Sequence, residues 1–395
     1  MTLLLGAGAA GAPSFDVLTS VREGIAWGVD GDGDVVVGWR EDDSGGLEAF
    51  RWALGAGDQT LLATFAAARD VSDDGNTVVG YSRDAFNTEL AWRWTPATGA
   101  EIAPWPVLTM PLNANAEAVS RDGLVTIGSR RFSQTGSNFI ARTWTGDTFV
   151  TLWSSPSSFA RATNHDGSIV GGDTRVEGNQ RHACFWVGPD LDDRIILGVL
   201  ASQQGLDFVN SFVQDMSADG SVIVGSSGNS AFRWTQATGM VEIPGLPGAT
   251  ITEAYACSAD GNVVVGRSIG GTPGPQSFVW TPEHGTRNLV DVLAEGAVDV
   301  SPWFLTAYDV SSDGTTVVGV ADNGPTGYPF IAVIAPRCVP AYDVTADGHI
   351  DAEDVYQIHA SPQDVTGDSI AEGADRRAIE RCVRRAEATD ALVSR

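Results

Sequence analysis

Arg69-Asp70-Val71-Ser72-Asp73-Asp74-Gly75-Asn76-Thr77-Val78-Val79-Gly80-Tyr81 states a pattern that the chain repeats seven times. A short apolar strand leads into an Asp-Gly turn, where glycine supplies a positive φ at little cost. A β-branched run follows, a glycine closes it, and an aromatic pair ending in tryptophan comes next. The turns are Asp32-Gly33, Asp74-Gly75, Asp122-Gly123, Asp166-Gly167, Asp219-Gly220, Asp260-Gly261 and Asp313-Gly314. The closing glycines are Gly38, Gly80, Gly128, Gly171, Gly225, Gly266 and Gly319. Six repeats carry the tryptophan, at Trp52, Trp94, Trp144, Trp186, Trp234 and Trp280. A period in the forties means one repeated supersecondary unit.

The second repeat shows what that unit is. Arg69 to Ser72 reads as a strand, Thr77 to Tyr81 as a second, Leu90-Ala91-Trp92-Arg93-Trp94 as a third, and Glu101-Ile102-Ala103 as a fourth. Four short antiparallel strands in forty-odd residues are the blade of a β-propeller; a flat solenoid spends fewer strands per coil. The expected fold is therefore all-β: a seven-bladed propeller of four-stranded blades over residues 15–336, followed by a small α-helical module at 337–388 and a tail at 389–395. The last repeat ends at Phe330-Ile331-Ala332-Val333-Ile334 without a fourth strand, whereas Phe15-Asp16-Val17-Leu18 precedes the first repeat as a spare. Pairing the two closes the ring and removes an exposed edge.

The 395 residues carry a net charge of −26, and all 24 basic residues are arginine. Such a chain repels nucleic acid and anionic membrane surfaces and suits cations, above all Ca²⁺. No stretch is long and apolar enough to span a bilayer. Residues 1–14 resemble the back half of a secretory signal without its basic start, so an extracellular or cell-surface location is expected. Cys184 and Cys257 fall at core positions of the repeat, in the places of Phe50 and Val71. Cys338 and Cys382 bracket the C-terminal segment as a candidate disulfide.

Over residues 15–336 the repeat resembles the HAF-type extracellular repeats. The matching residues are the Ser-x-Asp-Gly stems (Ser72 to Gly75, Ser217 to Gly220, Ser258 to Gly261, Ser311 to Gly314), the Val-Val-Gly ends and the Ala-Phe-Arg-Trp strands (Ala49 to Trp52, Ala231 to Trp234). The titular histidine is mostly missing, with only His182-Ala183 close to it. The resemblance implies an exported repeat protein and no particular chemistry.

Beyond Pro336 the pattern changes to two twelve-residue loops with calcium-ligand spacing. The first offers Asp343, Thr345, Asp347, the carbonyl of His349, Asp351 and Asp354; the second offers Asp364, Thr366, Asp368, the carbonyl of Ile370, Glu372 and Asp375. The second has Ser369 where glycine belongs, which predicts a weaker site. Residues 338–387 resemble a dockerin domain, and the resemblance implies two Ca²⁺ ions and a cohesin-like partner. The docking positions, Ala352-Glu353 and Gly373-Ala374, are unlike each other. A calcium-stabilised terminal cap is the competing reading.

Within the propeller, Asp30-Gly31-Asp32-Gly33-Asp34 imitates a calcium loop but reads better as a hairpin turn. Tryptophans at the shared register read as packing between blades. Trp27, Trp39, Trp92, Trp105, Trp153 and Trp303 fall outside it and are candidate rim or binding aromatics. Asp70, Asp215 and Asp309 share one inner-strand position, with Arg93 and Arg233 as candidate counter-ions. No Ser-His-Asp set, G-x-S-x-G elbow or phosphate loop occurs. The expected function is a monomeric, exported, non-catalytic binding or scaffold protein. Its expected partners are a cohesin-like protein or a cell-surface polysaccharide. The alternative is a glycoside hydrolase delivered by its dockerin. Two carboxylates roughly 5–10 Å apart in an open channel mouth favour the enzyme, and inner aspartates all paired with arginine exclude it.

Overall fold

The computed structural model describes residues 13–334, apart from 19–22, 64, 103–112, 132–138, 146–147, 153–156, 189–190, 192, 207, 272–273 and 325. The calcium loops at 343–354 and 364–375, Cys338, Cys382, Trp105, Trp153 and residues 1–12 lie outside the described residues. The chain divides into two compact units: Asp16–Val292 with Val300–Ile331, which carries the repeats, and Met1–Phe15 with Leu293–Asp299 and Ala332–Arg395.

Six blades are each built from four consecutive strands. Their innermost strands are Gly24–Val29, Ala66–Val71, Ala114–Val119, Ser158–Thr163, Ser211–Met216 and Ile251–Cys257. A further four-stranded sheet is composite: Phe304–Val310, Thr316–Asp322 and Gly327–Val333 are completed by Ser14–Val17, which lies beside Gly327–Val333. The Leu18 amide continues that pairing with a bond to the Pro329 carbonyl at 2.9 Å.

The fold class expected from the sequence is corrected by this. Six blades, not seven, are complete in consecutive sequence, and no helical module exists among the described residues. The one α-helix there is Leu289–Glu295. It directly follows Gly285–Asn288, the outermost strand of the sixth blade. The Asn288 side chain accepts the Val290 amide at 2.9 Å and starts the helix as a cap. Among the described residues no helix is long and apolar enough to cross a membrane.

The shared residues of the repeat now have physical reasons. In the second blade the Ser72 hydroxyl accepts the Thr77 amide at 3.0 Å and donates to Asp74 at 2.6 Å, locking the turn. Turn glycines such as Gly75, at φ 68°, take the left-handed conformation. The arginine that directly precedes the repeat tryptophan ties one blade to the next. Arg51, Arg93 and Arg233 donate to the carbonyls of Gly75, Gly123 and Gly261 at 3.2, 2.9 and 3.1 Å. Arg51 and Arg233 also lie over the next blade's Trp94 and Trp280. Apolar clusters fill the spaces between blades, as with Val35, Val37, Val71, Val78, Trp92 and Trp94 between the first two. Trp186 is wholly buried in another such cluster, and Cys184 and Cys257 are buried and free.

The glycine closing each run faces the innermost strand. A Cβ on Gly38, Gly80, Gly128, Gly225, Gly266 or Gly319 would lie 1.9–2.0 Å from a carbonyl oxygen of that strand. In the fourth blade this role belongs to Gly172, not to Gly171: the Phe159 carbonyl oxygen sits 1.8 Å from a Gly172 Cβ, whereas Gly171 faces Met216 and Val213. Gly225→Ala should therefore cost about 3 kcal/mol, the upper range for overpacking a filled interior, seen as a lowered urea midpoint with unchanged slope.

Backbone bonds link the turns in a closed circle. The amides of Gly31, Asp73, Asp122, His165, Ala218, Ala259 and Asp313 donate to the carbonyls of Asp73, Arg121, His165, Ala218, Ala259, Ser312 and Gly31. Each turn thus holds its neighbour around the ring.

Candidate ligand-binding site in the channel

All seven innermost strands carry a β-bulge at the same place. Pairing to the second strand skips one residue in each, namely Trp27, Arg69, Glu117, Arg161, Gln214, Tyr255 and Tyr308. A bulge re-aims the extra side chain out of the ladder. Here all seven line one cavity of about 280 Å³ in the channel, near the lower end of small-ligand sites. The carbonyl that leans on the closing glycine belongs to the residue two before the bulge, or immediately before its paired neighbour. The glycine thus makes room for the bulge.

The seven side chains divide into two arcs. Tyr255, Tyr308 and Trp27 occupy three successive sheets and form an aromatic wall. Tyr255 and Tyr308 stack with ring centroids 5.6 Å apart. Arg69, Glu117, Arg161 and Gln214 form a polar arc on the next four. Arg69 lies 4.3 Å from the Trp27 ring centroid and donates to Glu117 at 3.1 and 3.2 Å. Arg161 donates from Nε to the fully buried Asp173 at 2.8 Å. Tyr255 is steadied from behind: its hydroxyl donates to Glu253 at 2.8 Å, and Arg267 holds Glu253 at 2.9 Å.

Asp70, Asp215 and Asp309 follow the bulge directly and form part of the cavity lining. They do not pair with Arg93 or Arg233, which reach turn carbonyls instead. Each carboxylate bridges to the next sheet through a backbone amide. Asp70 accepts from Val119 at 2.8 Å, Asp215 from Cys257 at 2.8 Å and Asp309 from Val29 at 2.9 Å. Asp70 and Asp309 also accept the amides of Val71 and Val310 at 2.8 Å. Burial outweighs these bonds. It pushes Asp70 up to about 7, raises Asp215, and carries Asp309 well above the usual carboxylate range with help from Asp70 and Asp215.

Arg121 reaches across the circle of turns. It donates to the Ser312 hydroxyl and lies 3.6 Å from Asp73, and Ser312 donates to Asp73 at 2.6 Å. Burial works against the Arg121 charge, but Asp73 and Asp215 outweigh it and hold its pKa above the ordinary value.

Solved structures share this architecture at low sequence identity. An oligogalacturonate lyase from Vibrio parahaemolyticus superimposes with a TM-score of 0.55 at 12% identity, covering 81% of this chain and 93% of that one. The propeller domain of the Trilobed protease from Pyrococcus furiosus gives 0.52 at 9%, over 79% and 95%. A puromycin hydrolase gives 0.53 at 14%, over 87% of this chain and 57% of its own. The chain is a β-propeller. These identities carry the fold and nothing of the chemistry. No family model matches the chain and no curated protein matches it significantly, so neither resemblance read from the sequence becomes a family assignment.

Of the off-register tryptophans, Trp27 lines the cavity and Trp39 meets it edge-on at 6.5 Å. Trp303 packs edge-on against Tyr328 at 6.0 Å. Trp92 is no rim aromatic: it is fully buried opposite Gly80, the place Phe50 takes opposite Gly38. Asp30 accepts the amides of Asp34 and Val35 at 2.8 and 2.9 Å, as a turn residue does. The bulge residues themselves were missed. Their signal is a column directly before Asp70, Asp215 and Asp309 in which residue type changes from repeat to repeat while its surroundings recur.

Proposed function

We propose that this propeller is a non-catalytic binding module whose channel cavity takes a saccharide. The convergence of seven bulged side chains into an aromatic arc facing a polar arc carries this reading. A sugar ring has an apolar C–H face and a rim of hydroxyls. The first suits Tyr255, Tyr308 and Trp27, and the second suits the donors and acceptors of Arg69, Glu117 and Gln214. The carboxylates beneath are taken up by amides that join neighbouring sheets. Their recurrence in three repeats fits a device of the fold better than an acid-base pair. The raised Asp70 is what favours the rival hydrolase reading, because a general acid works best near the ambient pH.

Residues 337–388 are proposed, on sequence alone, to bind Ca²⁺ through the two loops and to serve as a docking or capping module on an exported protein. A glycan array on the full chain, with reducing-end release measured on every bound sugar, tests the whole reading. Binding without release is expected, and Trp27→Ala should abolish it. Release that disappears in Asp70→Asn replaces the binding module with a hydrolase, and an array without any bound sugar removes both. In a melting scan of the same sample, chelator should shift a transition separate from that of the propeller; an unchanged scan removes the calcium loops.

A further inference from the structure

We infer that the saccharide bound in the channel is acidic, its anionic group held by Arg161 opposite the aromatic arc. This deepens the binding reading above and rests on it. Arg161 is the bulge residue of Ser158–Thr163. Its Nε is spent on Asp173, which is wholly buried and also receives the guanidinium of Arg181. Arg181 is fixed in turn by the Ser157 hydroxyl at 3.0 Å and by the Phe159 ring 4.6 Å away. The Arg161 side chain keeps 33% exposure on the cavity. Among the described residues its Nη groups donate to nothing.

Apart from Asp70, Asp215 and Asp309, whose carboxyls burial holds towards the neutral form, the charges on the bulge residues and the groups behind them do not balance at this point. Arg69 faces Glu117 and Arg267 faces Glu253, one to one. Arg161 and Arg181 share the single Asp173, which leaves one positive charge uncompensated on the wall of the fourth blade. In a ring of seven sheets that blade stands across from the junction of Tyr308 and Trp27. A planar guanidinium anchored at Nε presents its Nη edge as a fork for carboxylate or sulfate oxygens. Holding that edge still in advance lowers the ordering cost of binding.

The test is calorimetric titration of the full chain with a short cello-oligosaccharide, its uronic-acid (glucuronan) counterpart and its O-sulfated counterpart. An acidic oligomer should bind about tenfold more tightly than the neutral one, the size of one charge-assisted hydrogen bond. Whichever of the two binds more tightly names the acid group. Arg161→Gln should weaken acidic binding by about the tenfold that separates it from neutral binding, so that the ratio of the two falls to about one. Asp173 keeps Arg181 in that variant, so no buried charge is orphaned, and an unchanged melting temperature confirms folding. Arg161→Lys should retain part of the preference. Equal binding of neutral and acidic oligomers by the unaltered chain, or a preference that survives Arg161→Gln, overturns the proposal and leaves the saccharide site standing. Failure of any sugar to bind, here and on the array, removes the saccharide site itself.

Discussion

A chain begun at residue 20 should lose most of its folding free energy and aggregate. Ser14–Val17 is the outer strand of the composite sheet, and without it the whole edge of Gly327–Val333 is bare. Leu18 goes with it. That side chain is 4% exposed and packs with Ala26, Val29, Val36, Phe50 and Val318. Truncating one buried leucine costs about 2–5 kcal/mol, and each lost ladder bond adds about 1 kcal/mol. A domain has only about 5–15 kcal/mol to lose. The damage falls where it spreads: the composite sheet packs against the first blade, and the Asp309 carboxylate holds the Val29 amide across the same junction. Calorimetry should show a far lower or absent transition, and light scattering should show association through the bare edge. A peptide spanning residues 13–18, added in excess, should restore part of the transition. A truncated chain that melts like the full one would show that the circle of turn bonds closes the ring without help.

That closing strand was legible in the sequence because closure is a counting problem: one repeat lacks an outer strand and the N-terminal side has one to spare. Turns, runs and tryptophans were legible for a related reason, since every repeat solves the same problem with the same residues. The binding residues were hidden by the same regularity. Trp27, Arg69, Glu117, Arg161, Gln214, Tyr255 and Tyr308 share a backbone position and nothing else, so aligning the repeats turns them into noise. Asp70, Asp215 and Asp309 stood out because they recur, and recurrence marked the fold rather than the ligand. Their expected pairing with Arg93 and Arg233 failed for want of geometry. The arginines sit on third strands and reach turn carbonyls, while the carboxylates sit on innermost strands and reach the next sheet's amides. In the fourth repeat two adjacent glycines left the register open by one residue. Only the close approach of the Phe159 carbonyl singles out Gly172.

Stability should fall as pH rises from about 4 to about 8, and Asp70→Asn should remove part of that fall. Asp70 titrates at about 7 in the folded chain against an ordinary 3.8. A carboxyl raised on folding binds more protons in the native state between those values. Its contribution is complete below the unfolded pKa and is lost as pH climbs through the folded one. At 1.36 kcal/mol per unit, ionising Asp70 costs about 2–4 kcal/mol, the lower end where cavity water reaches it. Asp309 and Asp215 shift in the same direction. A net charge of −26 also weakens the compact state as pH rises, so the slope alone decides nothing. The comparison with Asp70→Asn does. Asparagine cannot ionise, but its amide nitrogen faces a backbone donor, either Val71 or Val119. The variant should therefore be about 1 kcal/mol weaker than the parent near pH 5, from one lost bond, and should equal or exceed it near pH 8. Urea midpoints across that range should cross; parallel curves would place the Asp70 pKa near its ordinary value. Crossing curves would mean that, below about pH 7, the cavity lining sheds negative charge at Asp70.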